Sequence, residues 1–228
     1  MKKIIYPEIP LDGVKAVLMD LDNTLYVCRE QNIRALKAVY SFIHHELKVS
    51  FDAFFDEVNA CFEARFDEVG RTPSAHCRFF VFEQVLINHN IPKTWVKAFE
   101  MEKIFWRHLF KRIRADKNAK EFLKKCHEKE IKVCLLTNLF AEIQIKKLKK
   151  LKLEDYIDMI VANDNVGVDK PHPDIYDYAL KRLGLTKSDV IMVGDNPNTD
   201  IKGAEAVGIK AYQVFPPKKN NACEVFNF

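Results

Sequence analysis

The sequence predicts an α/β fold: a parallel sheet with helices on both faces, interrupted after its first strand by an all-helical insert. Two observations predict this class. From about Asp116 onward, short apolar runs alternate with segments of helical spacing, a pattern typical of strand–helix–strand units. Between roughly residues 30 and 114, apolar residues recur only three and four apart, which predicts helices without a strong strand.

The first strand is the apolar run from Val14 to Leu21, near the N-terminus. Its partners in the sheet must come from the later, alternating part, because the segment that follows it is helical. Turn-forming stretches, GRTPSAH and NHNIPKT, separate helices within that segment. The predicted helices there are NIRALKAVYSFIHHEL, DAFFDEVNACFEARFDEV, HCRFFVFEQVLINH and WVKAFEMEKIFWRHLFKRI.

The alternating part supplies four more strands and the helices between them. The strands are IKVCLLT, YIDMIVAN, VIMVGD and IKAYQVF, and the helices are KNAKEFLKKCHEKE, AEIQIKKLKKL, PDIYDYALKRLG and TDIKGAEAVG. Together with the first strand they predict a Rossmann-like three-layer α/β/α core. We expect the core to comprise residues 1–26 and 115–228, and the inserted helical domain to comprise residues 27–114.

Composition limits the partners that the chain can have. Its 228 residues carry a net charge of +4, too weak and too evenly spread to predict binding to a nucleic acid polymer. No apolar run approaches the ~20 residues that span a bilayer, and none follows the basic start as in a signal peptide. Six cysteines without CxxC spacing fit a reduced, cytoplasmic chain. We expect no membrane partner, and either a monomer or a homodimer.

Polar residues follow four of the predicted strands at the points where those strands end. In parallel sheets of this kind, ligands bind at the carboxyl ends of the strands. The residues at these ends are Asp20 and Asp22, Thr137 and Asn138, Lys170, and Asp195 and Asp200.

Each of these residues also has a purely structural interpretation. An aspartate at a strand end often forms an Asx turn, and Thr-Asn before a helix often caps it. Asn198, Thr199 or Asp200 could equally cap the helix that follows, and a lysine before a proline is often solvated. Their joint occurrence on successive strand ends favours a shared site.

The residue types indicate which chemistry such a site would perform. Several carboxylates close together repel each other unless a cation lies among them, and oxygen-only ligands favour Mg²⁺ over zinc. Mg²⁺ binds one or two carboxylates together with a substrate phosphate, whose other oxygens suit a lysine, a hydroxyl and backbone N–H groups. The sequence therefore predicts a phosphoryl group held against a carboxylate nucleophile.

The motifs DLDNT, TN, DKPHPD and GDNPNTD occur in this order and resemble the four motifs of the haloacid dehalogenase-like hydrolases. The resemblance spans the chain from about Val14 to Val214, apart from the insert. It implies that the insert is the α-helical cap of that family, which closes over the active site.

The resemblance also implies a role for each strand-end residue. Asp20 would be the nucleophile and form an aspartyl-phosphate. Asp22 would act as general acid and then as general base, and the acid role needs a raised pKa, which a neighbouring carboxylate helps to supply. Thr137 and the backbone of Asn138 would bind the phosphoryl oxygens, and Lys170 would tie Asp20 to the phosphate.

A Mg²⁺ ion is the cofactor that the resemblance implies. Its protein ligands would be the carboxylates of Asp20 and Asp195 and the backbone carbonyl of Asp22. Asp200 would act from further out, through a metal-bound water or by orienting Lys170.

The function expected from these residues is a Mg²⁺-dependent phosphomonoester hydrolase that acts on a small phosphorylated metabolite, either a sugar phosphate or a nucleotide 5′-monophosphate. Asp22 favours phosphate transfer, because dehalogenases and phosphonate-cleaving members of the family lack the second aspartate. Two alternatives stay open: a phosphomutase, and a non-catalytic binding or regulatory protein on the same scaffold.

The insert should determine the substrate. Its phenylalanines are expected to form its own core. Four basic residues close in sequence could reach a second anionic group of a substrate, although a solvated face accounts for most of them: Arg65, Arg71, His76 and Arg78.

Overall fold

The structure is a computed structural model that describes residues 3–217. The chain divides into two compact units. One contains the residues up to Cys28 and those from Ile113 onward, and the other is Arg29–Arg112. These boundaries lie two residues inside the predicted insert, 27–114, at each end.

The first unit is built on a five-stranded sheet in which every neighbouring pair of strands is parallel, as predicted. The strand order is β3-β2-β1-β4-β5, so the first strand of the chain lies at the centre. The strands are β1 Ala16–Met19, β2 Lys132–Thr137, β3 Met159–Ala162, β4 Val190–Gly194 and β5 Lys210–Gln213.

The second unit is all-helical, also as predicted. Its helices are α1 Arg29–Leu47, α2 Phe51–Val69, α3 Arg78–Asn88 and α4 Thr94–Arg112, with a 3₁₀ turn at Pro73–His76. Helix α4 packs along both α1 and α3, and fully buried phenylalanines, Phe54, Phe82 and Phe105, lie in the core of the unit. The expected solvated face is wrong for His76 and Arg78, which are buried.

Burial of Arg78 is compensated by aromatic rings. Its guanidinium lies 4.4 Å from the ring centroid of Phe105 and 4.6 Å from that of Trp106, distances at which the ring faces attract a cation. This arginine therefore packs within the core of the helical unit.

Helices connect the strands of the first unit. They are α5 Lys117–Glu128, α6 Ala141–Leu151, α7 Asn163–Val166, α8 Pro173–Leu183 and α9 Lys202–Ala206. One face of the sheet packs on Ile175 and Tyr176 of α8, through side chains that include Leu18. The alternate residues of β1, Val17 and Met19, are fully buried as well, so both faces of the sheet are covered. This is the three-layer α/β/α core that the sequence predicts.

Within residues 3–217, no helix has the combination of length and apolar character that crossing a bilayer requires. The cysteines described there, Cys28, Cys61, Cys77, Cys126 and Cys134, are all free thiols, and Cys223 lies outside the described residues.

Candidate active site

Asp20 lies at the carboxyl end of the central strand, the position where both neighbouring strands contribute groups. Its backbone N–H donates to Val193 O on β4 at 2.9 Å, which extends the sheet register by one residue beyond β1. The Thr24 hydroxyl donates to Asp20 Oδ2 at 3.0 Å. Only 3% of the residue is exposed, so its carboxylate is held in a protein environment rather than in bulk water.

Lys170 approaches Asp20 from the loop between α7 and α8, and it is 1% exposed. Its ammonium donates to Asp20 Oδ1 at 2.8 Å and to Leu136 O, near the end of β2, at 2.7 Å. The third close oxygen is Asp200 Oδ1, at 2.8 Å. Three short contacts match the three N–H donors of an ammonium group. All three N–H donors of Lys170 therefore have a partner in this structure.

The loop that carries Lys170 is fixed by a pair of asparagines. Asn138 Oδ1 accepts from Lys170 N at 2.7 Å, and Asn138 Nδ2 donates to Lys170 O at 2.9 Å. Asn163 Nδ2 in turn donates to Asn138 O at 3.1 Å and to Asp169 Oδ1 at 2.8 Å. The side chain of Asn138 thus acts on the lysine backbone, and its own predicted role, phosphate binding through its backbone, stays a prediction.

Three carboxylates converge at this point of the fold. Asp20, Asp195 and Asp200 each place an oxygen within 4.8 Å of the others. Asp200 lies in a π-helical turn, Pro197–Ile201, and its close approach depends on Gly194, where a Cβ atom would overlap the Asp200 carboxylate. Such a set of hard oxygen donors fits a divalent cation of the Mg²⁺ type. The predicted contribution of the Asp22 carbonyl to this site stays a prediction.

Burial and mutual repulsion raise the proton affinity of two of these acids, Asp20 and Asp195. Loss of hydration on burial, together with the Asp200 carboxylate, raises the pKa of Asp20 to about 7, although the Lys170 ammonium opposes the shift. Burial and the charges of Asp20 and Asp200 also raise the pKa of Asp195 well above its ordinary value. Lys170 is itself desolvated, but the charges of Asp20 and Asp200 hold its pKa above the ordinary value. A bound cation would relieve the repulsion among the three acids.

The Asp22 carboxylate has a different set of hydrogen-bond partners. Lys147 of α6 places its ammonium 2.8 Å from Asp22 Oδ1 and 2.7 Å from Asp22 Oδ2. Gln144 Nε2 donates to Asp22 Oδ2 at 3.3 Å, and the Tyr26 hydroxyl donates to Asp22 Oδ1. The same Gln144 amide donates to Thr137 Oγ1 at 2.5 Å. The predicted acid and the predicted phosphate-binding hydroxyl are thereby joined through one side chain.

The expectation that Asp22 would have a raised pKa is wrong for this arrangement. Burial acts to raise the pKa, but the Lys147 charge and the hydrogen bonds from Lys147, Tyr26 and Gln144 outweigh burial and lower it. Asp22 is therefore a carboxylate in this structure. The Lys147 ammonium in direct contact is the largest of the influences that lower this pKa.

Sequence reasoning missed Lys147 and Gln144. The signal that could have found them is their position on α6, where the buried residues Gln144, Lys147, Leu148 and Leu151 follow the i, i+3, i+4, i+7 spacing of one face. Polar side chains on the apolar face of a helix need partners in the interior. Lys147 is 3% exposed and Gln144 is 0% exposed, and Asp22 is a partner of both.

The capping interpretations are not what the structure contains. The residue at the N-cap of α6 is Phe140, which makes no side-chain capping bond, so Thr137 and Asn138 do not cap that helix. The cap of the π-helical turn is Asn196, whose Oδ1 accepts from Asn198 N at 2.9 Å and Thr199 N at 3.2 Å.

Comparison with known proteins identifies what the chain is similar to. A family model described as haloacid dehalogenase-like hydrolase matches residues 14–208. The chain is 31% identical over 211 residues to a ribulose-1,5-bisphosphate 5-phosphatase from Halopiger xanaduensis, covering 92% of this chain and 88% of that protein. It is 27% identical over 198 residues to a glyceraldehyde 3-phosphate phosphatase from Pyrococcus abyssi, covering 86% and 79%.

The fold is also similar to that of solved structures. A 2-haloacid dehalogenase from Pseudomonas syringae superposes with a TM-score of 0.70 at 21% identity, covering 87% of this chain and 85% of that one. At this identity the likeness concerns the fold and carries no information on the substrate.

Proposed function

The chain belongs to the haloacid dehalogenase-like hydrolases, and from this premise we propose that it is a Mg²⁺-dependent phosphatase that uses an aspartyl-phosphate intermediate. One observation carries the proposal. A buried aspartate at the central strand end, Asp20, is in contact with a buried lysine and lies within 4.8 Å of two further carboxylates, Asp195 and Asp200. That arrangement supports attack on a phosphoryl group by a carboxylate nucleophile, because Lys170 supplies positive charge and the three acids would hold a cation that supplies more.

In the first half of the reaction, an Asp20 carboxylate oxygen forms a bond to phosphorus as the bond from phosphorus to the ester oxygen breaks. The leaving oxygen takes a proton from Asp22. In the second half, Asp22 takes a proton from water, whose oxygen bonds to phosphorus and releases Asp20 and inorganic phosphate. Mg²⁺ bound at Asp20 and Asp195 would neutralise charge on the phosphoryl oxygens.

The carboxylate state of Asp22 suits the second half of the reaction directly. For the first half, Asp22 must gain a proton, and a phosphate dianion beside it supplies negative charge that raises its pKa. The Lys147 ammonium, which lowers the pKa of Asp22, holds this residue in the carboxylate state before substrate binds.

We propose that the substrate is a small phosphorylated metabolite. The names of the two relatives, a ribulose-1,5-bisphosphate phosphatase and a glyceraldehyde 3-phosphate phosphatase, support sugar phosphates ahead of nucleotide 5′-monophosphates. The same names support transfer of the phosphoryl group to water and thus hydrolysis ahead of a mutase reaction.

The role of the helical unit belongs to the same proposal. Arg29–Arg112 is inserted directly behind the segment that carries Asp20 and Asp22, and this position in the chain supports a cap that selects the substrate. A cytoplasmic location and a monomeric or homodimeric state also remain proposals, which fractionation and size-exclusion chromatography with light scattering would test.

The test is hydrolysis of p-nitrophenyl phosphate by the purified chain with Mg²⁺ and with EDTA, followed by a panel of phosphorylated sugars, nucleotides and small acids. We expect turnover with Mg²⁺, loss of turnover with EDTA, and its return when Mg²⁺ is added in excess. Correctly folded protein that hydrolyses none of these esters would contradict the proposal and favour a binding protein.

A further inference from the structure

A second buried lysine lies beside the site, and the proposed reaction does not use it. Lys147 is 3% exposed, and its ammonium contacts both carboxylate oxygens of Asp22, at 2.7 and 2.8 Å. Its neighbour Lys146, on the outer side of α6, pairs instead with Glu142 at 2.5 Å and has a side chain that is 51% exposed. Two adjacent lysines on one helix thus occupy opposite environments, and only one of them contacts an active-site residue.

Burying an ammonium is unfavourable unless its charge is compensated, and ion pairs inside proteins contribute little net stability compared with apolar packing. A leucine at position 147 would extend the apolar face formed by Leu148 and Leu151. Stability alone therefore gives a weak account of Lys147. Its ammonium contacts both oxygens of the carboxyl group that must face the leaving oxygen, and this geometry favours a role in orienting that group.

Gln144 strengthens this interpretation. It lies one helical turn before Lys147 on the same face, and its amide nitrogen donates both to Asp22 Oδ2 and to Thr137 Oγ1. Its carbonyl oxygen is buried and has no hydrogen-bond partner among residues 3–217. The position of the Gln144 side chain is therefore set by what it donates to, namely the predicted acid and the predicted phosphate-binding hydroxyl.

We propose that Lys147, assisted by Gln144, is a positioning residue that fixes the Asp22 carboxyl group in the orientation needed for proton transfer to and from the substrate oxygens. The proposal rests on the proposed function. Lys147 contacts no reacting atom in it and acts through Asp22. Helix α6 thereby contributes to catalysis through a side chain outside the four motifs.

The experiment compares two substrates that differ in their need for an acid. The p-nitrophenolate group leaves without much protonation, whereas phenol, with a pKa of about 10 like the tyrosine side chain, leaves poorly unless it is protonated. The measured quantity is kcat/KM for phenyl phosphate divided by kcat/KM for p-nitrophenyl phosphate. This ratio reports on steps up to departure of the phenol, and a general loss of folded protein does not change it.

We expect Lys147→Met to lower the ratio by about tenfold or more, as is typical when a residue that orients a catalytic group is removed. Asp22→Ala should lower it at least as much, and adding Lys147→Met to Asp22→Ala should lower it no further, since both changes act on the same group. Lys147→Arg, which keeps a cation and two donors, should restore part of the ratio. Lys146→Met is the matched control and should leave the ratio unchanged.

An unchanged ratio in Lys147→Met would overturn the inference, and so would additive losses in the double variant. If Lys147→Met does not fold, as judged by circular dichroism, the same ratio is measured for Lys147→Gln, which keeps a donor without the charge, and the same outcomes decide. The proposed function is tested separately by the wild-type chain: absence of Mg²⁺-dependent turnover there would overturn that function, whereas an active wild type with an unchanged ratio in the variants overturns the role of Lys147 alone.

Discussion

The two aspartates at the end of β1 lie two residues apart, and each contacts a buried lysine at 2.7–2.8 Å, yet their environments shift proton binding in opposite directions. Asp20, beside Lys170, has its pKa raised to about 7, chiefly through burial. Asp22, beside Lys147, is equally buried, but the lysine outweighs the effect of burial and lowers the pKa.

The difference lies in how many acids share each ammonium. Lys170 lies 2.8 Å from both Asp20 and Asp200, with Asp195 close by, so one positive charge faces three carboxyl groups. Lys147 contacts both oxygens of a single carboxylate. Buried carboxylates are therefore accommodated in two ways. The Asp20 cluster has more negative than positive charge and suits an added cation, whereas Asp22 is neutralised by a lysine of the chain itself.

The largest expected effect comes from removing the nucleophile. Asp20→Asn should leave the chain folded but abolish nearly all turnover, a loss of about 4 kcal/mol or more in transition-state stabilisation. Turnover of a phosphate ester with Mg²⁺ measures it. Asp12→Asn, a change at a surface carboxylate that pairs with Lys129, is the control and should retain full activity. Half of the wild-type activity in Asp20→Asn would disprove the role given to Asp20.

Replacing Lys170 should leave the acid cluster of Asp20, Asp195 and Asp200 with still less positive charge. Lys170→Met leaves Asp20 and Asp200 buried without their common partner, which should destabilise the metal-free chain by about 3 kcal/mol at pH 8. The loss should be smaller at pH 5, where the acids can bind protons instead. Urea denaturation at both pH values measures the free energy of unfolding. An equal loss at the two pH values would show that the acid cluster does not control this part of the fold.

The raised pKa of Asp20 predicts how stability depends on pH. The folded chain binds a proton at Asp20 up to about pH 7, whereas the unfolded chain releases it near pH 4, so this residue makes the metal-free fold less stable as the pH rises between those values.

Asp22 acts with the opposite sign. Its lowered pKa stabilises the fold above about pH 4, the value for an unfolded aspartate, and that contribution is lost as the pH falls further. Thermal unfolding in EDTA from about pH 2 to about pH 8 separates the two, since the Asp22 contribution changes below about pH 4 and the Asp20 contribution changes above it. In Asp20→Asn, the stability of the fold should fall less steeply as the pH rises above 4. In the wild type, adding Mg²⁺ should reduce the same fall in stability. A decline of the same slope in Asp20→Asn would assign it to other groups.

The smallest expected effect comes from removing one of the hydrogen-bond donors to Asp22. Tyr26→Phe removes the hydroxyl that donates to Asp22 and should lower the free energy of unfolding by about 1 kcal/mol, because Lys147 and Gln144 still donate to that carboxylate. Tyr178→Phe, at a more exposed hydroxyl on α8, serves as the control in the same denaturant titration. A loss from Tyr26→Phe no larger than that of the control would mean that Tyr26 contributes little to holding Asp22.

The sequence predicts site residues best where an apolar strand pattern ends at a polar residue of a type that catalysis uses. A buried strand appears in the sequence as a run of apolar residues. A polar residue that ends such a run lies at the carboxyl edge of the parallel sheet, whatever the order of the strands. Asp20 and Asp195 could be found in this way without knowing the strand order. The order itself, with β1 between β2 and β4, depends on long-range pairing that the local pattern does not encode.

The helix face that carries Lys147 was harder to identify. Four of the eleven residues of α6 are lysines, and Lys147 differs from Lys146, Lys149 and Lys150 in lying on the buried face with Leu148 and Leu151. The pKa of Asp22 was predicted with the wrong sign for the same reason, because it depends on this unrecognised cation. Asn163 escaped notice as well, since its partner Asn138 is 25 residues away in the chain.

The contacts of Lys170 have a consequence for how the enzyme becomes active during folding. Its ammonium joins Asp20, 150 residues away in the chain, to Leu136, 34 residues away, and to Asp200 in the last crossover of the sheet. Contacts of such sequence separation form only after large loops have closed, and chains dominated by them fold slowly. No helix or hairpin formed early can contain a working centre, so catalytic activity recovered after dilution from denaturant should report completion of the entire sheet and should lag behind the return of helical signal.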